Sequence, residues 1–379
     1  MPVKAKKIAL VYDAIYPYVK GGAERRYYEL ATRLVRDGYD VHLYGMQFWE
    51  GESVRSERGM TLHGLCPAMP LYTASGRRSV KQAVYFGLAC TKLLWVDFDV
   101  LDCSGFPYFS IFPARLATWL RRKPLYVTWH EVWGRQYWQK YLGALGLFGY
   151  AVEWLASRLP TTIVAVSTQT AERLSGVLGT KRPLVVVENG IDLSAMSGIK
   201  PNTAAGCDIV SVGRLVEHKN QKLLIQALPL VQKRRAGATL LLVSDGPDRA
   251  ALEQLAGSLG VSGSVRFTGF VEDNRDVYAL IAASKVFALT SLREGFGIVV
   301  LEANALGLPA LVVDAPDNAA TQIVGPGNGL VVQPTAEAVT GGLLRLLRDR
   351  KQLSASSRAV AGNYDWEQQL ARTLEVWHV

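Results

Sequence analysis

Cysteine is scarce in this chain: there are four in 379 residues, and Cys66, Cys90, Cys103 and Cys207 stand too far apart to form a paired-ligand pattern. That spacing disfavours a disulfide frame and a cysteine-built zinc site, so reduced thiols in a cytosolic protein, without a structural metal, are expected. Long apolar runs are also missing. The longest weakly polar run, Tyr141 to Val152, is shorter than the about 20 apolar residues that a bilayer crossing needs, and it ends at Glu153. Lys4, Lys6 and Lys7 precede an apolar stretch, but Asp13 interrupts it and no small-residue cleavage site follows. A first strand is expected there, not a secretory signal. No repeat of solenoid length and no low-complexity segment is visible. An apolar fraction of 49% with 20% charged residues belongs to a soluble globular protein, long enough for two domains.

What is present is unevenly spread. Residues 1–200 hold 25 Lys and Arg against 16 Asp and Glu, whereas residues 201–379 hold 17 of each, so the whole net charge of +9 lies in the first half. Seven of the nine tryptophans lie there as well. A basic, aromatic half suits an anionic surface such as lipid headgroups or lipid-linked phosphate, and charge alone weighs a plain solvated surface equally. Nothing points to a nucleic-acid partner. From Arg77 to Leu94 the helical wheel places Arg77, Arg78, Lys81 and Lys92 together and Val80, Val84, Phe86, Leu93 and Leu94 opposite, a basic amphipathic helix that can lie on an anionic membrane but is expected as a surface helix with its apolar side on the core.

Both halves begin alike. Lys7 to Tyr12 reads as a strand, Pro17 to Gly22 as a glycine-containing loop, and Ala23 to Asp37 as a helix closed near Gly38, with a second strand from Asp40. In the second half Asp208 to Val212 is a strand, Gly213 to Asn220 a polar loop, Gln221 to Arg234 a helix and Ala238 to Ser244 the next strand. The fold class is therefore α/β, two doubly wound Rossmann-like units in tandem. The join is expected within 192–206, giving domains at 1–195 and 206–363 and a last helix, 364–379, packing back on the first domain.

Chemistry concentrates in loops that follow strands. Arg293-Glu294-Gly295-Phe296-Gly297-Ile298 leads from the strand-like Lys285 to Thr290 into a helix that holds Glu302, which puts Glu294 at a strand's carboxyl end, where open parallel sheets bind ligands. A carboxylate there hydrogen-bonds hydroxyls, and helix amides favour anions. The loop Gly213-Arg214-Leu215-Val216-Glu217-His218-Lys219-Asn220 sets two cations between a strand and a helix, a setting for diphosphate. A nucleotide sugar satisfies both loops. In the first domain Lys20-Gly21-Gly22-Ala23-Glu24 allows close backbone approach, with Gly22 free to take conformations that a side chain forbids. His130, after Leu125-Tyr126-Val127, is a second candidate there, with Trp129, Trp133, Tyr137 and Trp138 nearby to stack on sugar rings, to sit at a membrane interface, or simply to fill the core.

Taken in order, Gly21-Gly22-Ala23-Glu24, His130, Glu188-Asn189-Gly190-Ile191-Asp192, Gly213-Arg214 with Lys219, Ser244-Asp245-Gly246-Pro247, Phe267-Thr268-Gly269-Phe270-Val271 and Glu294 through Glu302 make the chain resemble the retaining nucleotide-sugar glycosyltransferases of family 4. The resemblance implies a GT-B architecture, with the acceptor bound by the first domain and a UDP- or GDP-sugar donor by the second. It implies no metal and no cofactor beyond the donor itself. In that reading Arg214 and Lys219 hold the diphosphate, with Gly213 opening their loop. Glu294 meets hydroxyls of the transferred sugar, Glu302 the ribose, and Gly295 with the amides of Phe296, Gly297 and Ile298 the sugar or phosphate. Gly21 and Gly22 approach the pyrophosphate, and His130 meets the sugar near its 6-position.

The same resemblance implies catalysis by His130, Arg214, Lys219 and Glu294 and front-face displacement, with a glycan or lipid-linked acceptor. The basic, aromatic first half adds the expectation of a cytoplasmic protein, peripheral at the cytoplasmic face of a membrane. One departure stands out, since Asn318-Ala319-Ala320-Thr321-Gln322 replaces the Gly-Gly turn and Glu of many relatives. A nucleotide-sugar epimerase, which would call on Asp13 and Glu24 as acid and base, and a non-catalytic donor-binding subunit are the alternatives. No Gly-x-Gly-x-x-Gly follows either first strand, which leaves an ordinary dinucleotide oxidoreductase weakest.

Overall fold

The computed structural model describes residues 5–73 and 77–379. The chain divides into two compact units, one running to Asn189 and resumed by Trp366–Val379, the other Gly190–Asp365.

The first unit is built on eight strands: β1 (Lys7–Val11), β2 (Asp40–Gln47), β3 (Val54–Glu57), β4 (Met60–Pro67), β5 (Val100–Ser104), β6 (Leu125–Trp129), β7 (Thr162–Ala165) and β8 (Leu184–Val186). Their order is β3-β4-β2-β1-β5-β6-β7-β8, parallel throughout except for the β3–β4 hairpin. Strands such as Leu125–Trp129 are buried at every position, as strands covered on both faces must be. One face is covered by α1 (Gly22–Arg36), through Tyr27, Leu30 and Leu34. The other carries α2 (Val80–Ala89), α3 (Ile111–Leu120), α4 (Gly134–Leu142), α5 (Gly146–Ala156) and α6 (Thr168–Gly176), which seat Phe86, Ile111, Trp138, Ala156 and Leu174 in a second core.

The second unit holds α7 (Leu193–Met196), β9 (Ile209–Val212), α8 (Lys222–Gln232), β10 (Leu240–Val243), α9 (Arg249–Ser258), β11 (Val265–Phe267), α10 (Asn274–Ala282), β12 (Val286–Leu289), β13 (Arg293–Glu294), α11 (Ile298–Ala305), β14 (Ala310–Val313), β15 (Asp317–Asn318), β16 (Gly329–Val332) and α12 (Ala336–Gly362). Its six-stranded sheet runs β11-β10-β9-β12-β14-β16, parallel in every pair. Each sheet reverses its winding order beside its first strand, between β1 and β5 and between β9 and β12. Ligands of doubly wound sheets bind outside the carboxyl ends of the strands at that point. The last helix, α13 (Trp366–Trp377), belongs to the first unit. Trp366 is fully buried beside the α1 core, and Glu367 takes hydrogen bonds from Arg36 at 2.7 and 2.8 Å and from Arg33 at 3.1 Å.

Two expectations are corrected. The wheel drawn from Arg77 to Leu94 does not exist as one helix, because the Ser79 hydroxyl caps α2 at Gln82 N and Cys90–Trp95 continues as a tighter 3₁₀ turn. Arg78 therefore lies before the helix and turns inward, while Val80 and Val84, expected on the core, are 41% and 36% exposed. Nor does Glu294 end the central strand. β12 stops at Leu289, and Glu294 sits five residues on in β13, a short strand paired with β15.

Candidate functional site

In the second unit the loops after β9 and β12 flank the switch point and are laced together. Leu292 N donates to His218 O at 2.8 Å, and Thr290 Oγ1 donates to Asn220 O at 2.9 Å. The loop after β10 supports them from the other side, with Leu215 N on Asp245 O at 3.0 Å and Asp248 N on Leu215 O at 3.1 Å. Gly246 explains why that motif carries a glycine: a Cβ there would stand 2.2 Å from Leu215 O. The result is a fixed backbone from which Lys219 Nζ donates to Glu294 Oε1 at 2.5 Å, both side chains largely removed from solvent.

Burial works to raise the Glu294 carboxyl, but the charge and hydrogen bond of Lys219 outweigh it and hold the group below its ordinary value. Glu294 is therefore an ionised acceptor at neutral pH. His218 is pushed down to about 4 by burial first, then by the charges of Lys219, Arg293 and Arg214. It stays neutral, and its depression registers the three cations near it, of which Lys219 is the one paired with Glu294. Net positive charge with one fixed acceptor can hold a diphosphate and orient a hydroxyl beside it.

Gly297 caps α11 in a left-handed conformation (φ +92°), and the first amides of that helix have no intrahelical partner. Gly295 and the buried Phe296 link this end to Glu294, while Ile298 starts the helix. Glu302, on α11, is buried and accepts from Tyr278 Oη at 3.0 Å. Gly213 takes φ +152° where β9 gives way to the cationic loop. The departing segment 318–322 is the immediate neighbour of Glu294, because β13 and β15 register Glu294 with Asn318. Its Ala320 leaves no room for a side chain at 297, where a Cβ would meet the Ala320 methyl at 2.5 Å.

The first unit is furnished differently. His130 directly follows β6, with its Nε2 buried and without a hydrogen-bond partner, and burial and the Arg26 guanidinium push its pKa down to about 3. It is a neutral imidazole at every physiological pH. Gly21 caps α1 in extended backbone, and the tight position is this one, since a Cβ here would meet the Glu24 carboxylate at 2.3 Å. Gly22, expected to need conformational freedom, has a helical place and open space around it. Arg26 is buried in α1 and donates to Glu188 O at 2.8 Å and Asn189 Oδ1 at 3.0 Å, fixing the first half of the 188–192 motif. Trp129 is a core residue, 1% exposed.

The acid–base pair that an epimerase would draw on is otherwise engaged. Arg78 Nη2 donates to both Asp13 oxygens, at 2.8 and 2.7 Å, and Gln82 Nε2 adds a third bond at 2.9 Å. Glu24 is buried, its pKa raised by burial, and accepts from Tyr12 Oη at 3.2 Å.

The sequence reading brought Arg214, Lys219 and Glu294 to one place but assigned nothing to His218 or Arg293, although both lie in the stretches it singled out. It also passed over Glu153. That carboxylate is wholly buried and accepts four hydrogen bonds, from Trp133 N (2.7 Å), Gly134 N (2.9 Å), Trp138 Nε1 (2.8 Å) and Tyr108 Oη (3.0 Å). The available signal was a lone glutamate closing an apolar run. All four cysteines are free and buried, and among the described residues no group of His, Cys, Asp or Glu is arranged to hold a metal ion.

Two Rossmann-like units, each presenting loops at the carboxyl edge of a parallel sheet, define the GT-B class of folds, and solved members of that class superpose on this chain. Anabaena HepE in complex with UDP-glucose does so with a TM-score of 0.71 at 21% identity, covering 98% of this chain and all (100%) of that one. The model of "Glycosyl transferases group 1" matches residues 205–363, and that of "Glycosyltransferase Family 4" matches residues 20–195. The chain belongs to glycosyltransferase family 4. A lipopolysaccharide core biosynthesis glycosyltransferase of Rhizobium meliloti is 39% identical over 153 residues, 39% of this chain and 43% of the relative. A GDP-mannose-dependent phosphatidylinositol monomannoside mannosyltransferase of Mycobacterium tuberculosis is 30% identical over 237 residues, 56% of this chain and 60% of the relative. This chain thus spans about half the length of these curated relatives.

Proposed function

We propose that the protein is a retaining glycosyltransferase that moves a hexose from a GDP- or UDP-linked donor to a lipid-linked or polysaccharide acceptor, without a metal, at the cytoplasmic face of a membrane. The observation that carries this reading is the Lys219–Glu294 pair at the β9/β12 switch point, on two loops that also carry Arg214 and Arg293. The departing diphosphate gains negative charge in the transition state, so cations and helix amides that are already fixed stabilise that state more than the ground state. Glu294, ionised and held in place, orients a sugar hydroxyl, and Glu302 takes the ribose. With no carboxylate set aside as nucleophile, the departing phosphate oxygen accepts the proton of the incoming acceptor hydroxyl on the face where the bond breaks, and configuration is retained.

The donor alternatives follow the relatives, one named for GDP-mannose and another bound to UDP-glucose. The membrane part rests on the first unit's surface. Trp95, Trp119 and Leu120 are 79%, 64% and 58% exposed, and Arg121, Arg122 and Lys123 follow directly, a pairing of aromatic and basic groups that suits an anionic interface. No helix among the described residues is long and apolar enough to cross a membrane.

Incubation with UDP- and GDP-hexoses tests the reading. Transfer should appear with one nucleotide class, with the anomeric configuration of the product kept by NMR. Folded Glu294→Ala and Arg214→Ala variants that consume every donor as the unaltered protein does would refute the site.

A further inference from the structure

The first unit carries an open cleft of about 500 Å³ that the proposed donor chemistry does not use, a size within the roughly 300–1,000 Å³ of small-molecule sites. It lies between the end of β4 and the outer side of α2 with the 3₁₀ turn that follows. The fold leaves it open for two reasons. Phe86, Cys90 and Leu93 are fully buried and turn the helix toward the core, while β3, at the edge of the sheet, stays exposed over most of its length. Gly64 keeps the strand side clear, since a Cβ there would stand 2.6 Å from Gln47 Cβ, and both residues line the cleft.

Its lining has two characters. Leu65, Cys66, Leu88 and Ala89 are apolar, and Leu88 is 66% exposed, so hydrocarbon meets water here. Lys92 is the one charged residue of the lining among the described residues. Its Nζ donates to Leu65 O at 2.7 Å, which uses one of three ammonium protons and seats the cation at the cleft. The surrounding surface continues both characters. Val84 and Trp95 are exposed on the same stretch, and residues 79–96 hold Lys81 and Lys92 but no Asp or Glu. Arg121 Nη2 donates to Leu94 O at 2.7 Å and joins the end of α3 to the 3₁₀ turn. On that helix Leu116, Trp119 and Leu120 are exposed, and residues 110–123 again hold cations and no acid. Apolar groups set among charges of one sign suit an anionic interface. A second copy of the chain suits it poorly, because a two-fold contact would set these cations against one another.

We propose that this cleft holds one anionic lipid of the bilayer, its chain along Leu65, Cys66, Leu88 and Ala89 and its phosphate on Lys92. The proposal rests on the reading of the protein as peripheral at a membrane, and it adds a site for a single lipid to a surface that faces many. A free anion finds one cation in a mostly apolar lining, and a sugar ring would leave buried hydroxyls without partners. An amphiphile satisfies both parts at once, because burial of its chain and the charge of its head act together.

Dihexanoyl phosphatidylglycerol, kept below self-association, is the probe, with isothermal titration calorimetry on the full chain without donor as readout. Dihexanoyl phosphatidylcholine and glycerol phosphate are the controls. Saturable binding of the anionic lipid is expected, weaker binding of the zwitterionic one, and none of glycerol phosphate. Ala89→Trp fills the cleft and should raise Kd by roughly tenfold or more, the scale of one lost apolar contact. Leu88→Ser, at an exposed position that folding tolerates, should weaken binding in the same direction, and Lys92→Gln should bring the two lipids to the same Kd. Equal Kd in folded Ala89→Trp, Leu88→Ser and unaltered protein overturns the site, as does glycerol phosphate that binds as well as the lipid. Competition of the probe with a lipid-linked acceptor in transfer assays would give the cleft to the acceptor and overturn a bilayer-lipid site. The two readings also fail separately. Cleft binding that these variants abolish, in a protein that does not co-sediment with anionic vesicles, overturns the membrane reading and keeps the site. Co-sedimentation without any binding of the probe overturns the site and keeps the membrane reading.

Discussion

The two units share a winding order and the same kind of edge, yet they furnish it in opposite ways. The second unit pairs Lys219 with Glu294 on loops that also carry Arg214 and Arg293, whereas the first gathers Trp133, Trp138, Tyr141 and Phe106 near the Arg78 guanidinium. Their outer surfaces differ as well. Among the described residues, 17 large hydrophobic side chains are exposed on the first unit and four on the second. The scaffold dictates where a ligand goes, and the loops decide which side chains meet it.

The sharpest break in that contrast should come from Glu153→Ala. It strands four donors in the first unit, and global stability should fall by about 3–5 kcal/mol in urea titrations, while loss of under 1 kcal/mol would mean that Trp133 and Trp138 hold themselves. Next is Glu294→Ala in the second unit. Removing a preorganised polar group from the reacting centre typically costs on the order of 10²–10³ in kcat, and steady-state kinetics at saturating donor should show a loss of that size with the fold retained by circular dichroism.

Acid should weaken both units through histidines that are buried neutral. Folding depresses His130 to about 3 and His63 and His218 to about 4, below the about 6.5 of an unfolded chain, so between those values the unfolded state binds more protons. Their contribution is complete above pH 6.5 and is lost as pH falls toward 4 and below. Glu294, also held low, gives its own up only as pH drops through its depressed value. Urea midpoints measured from pH 7.5 to 4.5 should decline, and His218→Gln should flatten the slope. A smaller effect is expected at the surface. Trp119→Ser with Leu120→Ser should reduce co-sedimentation with anionic vesicles several-fold at low salt, and unchanged binding would detach the first unit's apolar surface from any bilayer.

Much of this was legible in the residues. Strand and helix positions follow the apolar spacing closely, as at Ile298, where α11 begins, and the loops carrying Arg214, Lys219 and Glu294 each follow a strand-like run that assigns them to one sheet edge. What failed shares a cause. The Arg77–Leu94 wheel assumed one continuous helix, but the Ser79 cap and the buried Asp13–Arg78 pair reset its start, and an ion pair 65 residues apart in sequence leaves no periodic trace. Glu153 was hidden for the same reason, because its four partners come from the start of α4 and from Tyr108, 45 residues away in sequence. The Gly22 expectation missed because the crowded neighbour is a side chain, Glu24, folding back on Gly21.

The return of α13 to the first unit has a consequence for how the protein is made. Trp366, Leu370 and Trp377 complete the core against α1, so that core stays open on one side until α13 has been synthesised. The second unit, finished at Asp365, has all its strands in hand by then. On the ribosome, where domains close as units in the order in which they are completed, the later half of the sequence is therefore the first able to mature, and the unit begun earliest is the last to be sealed.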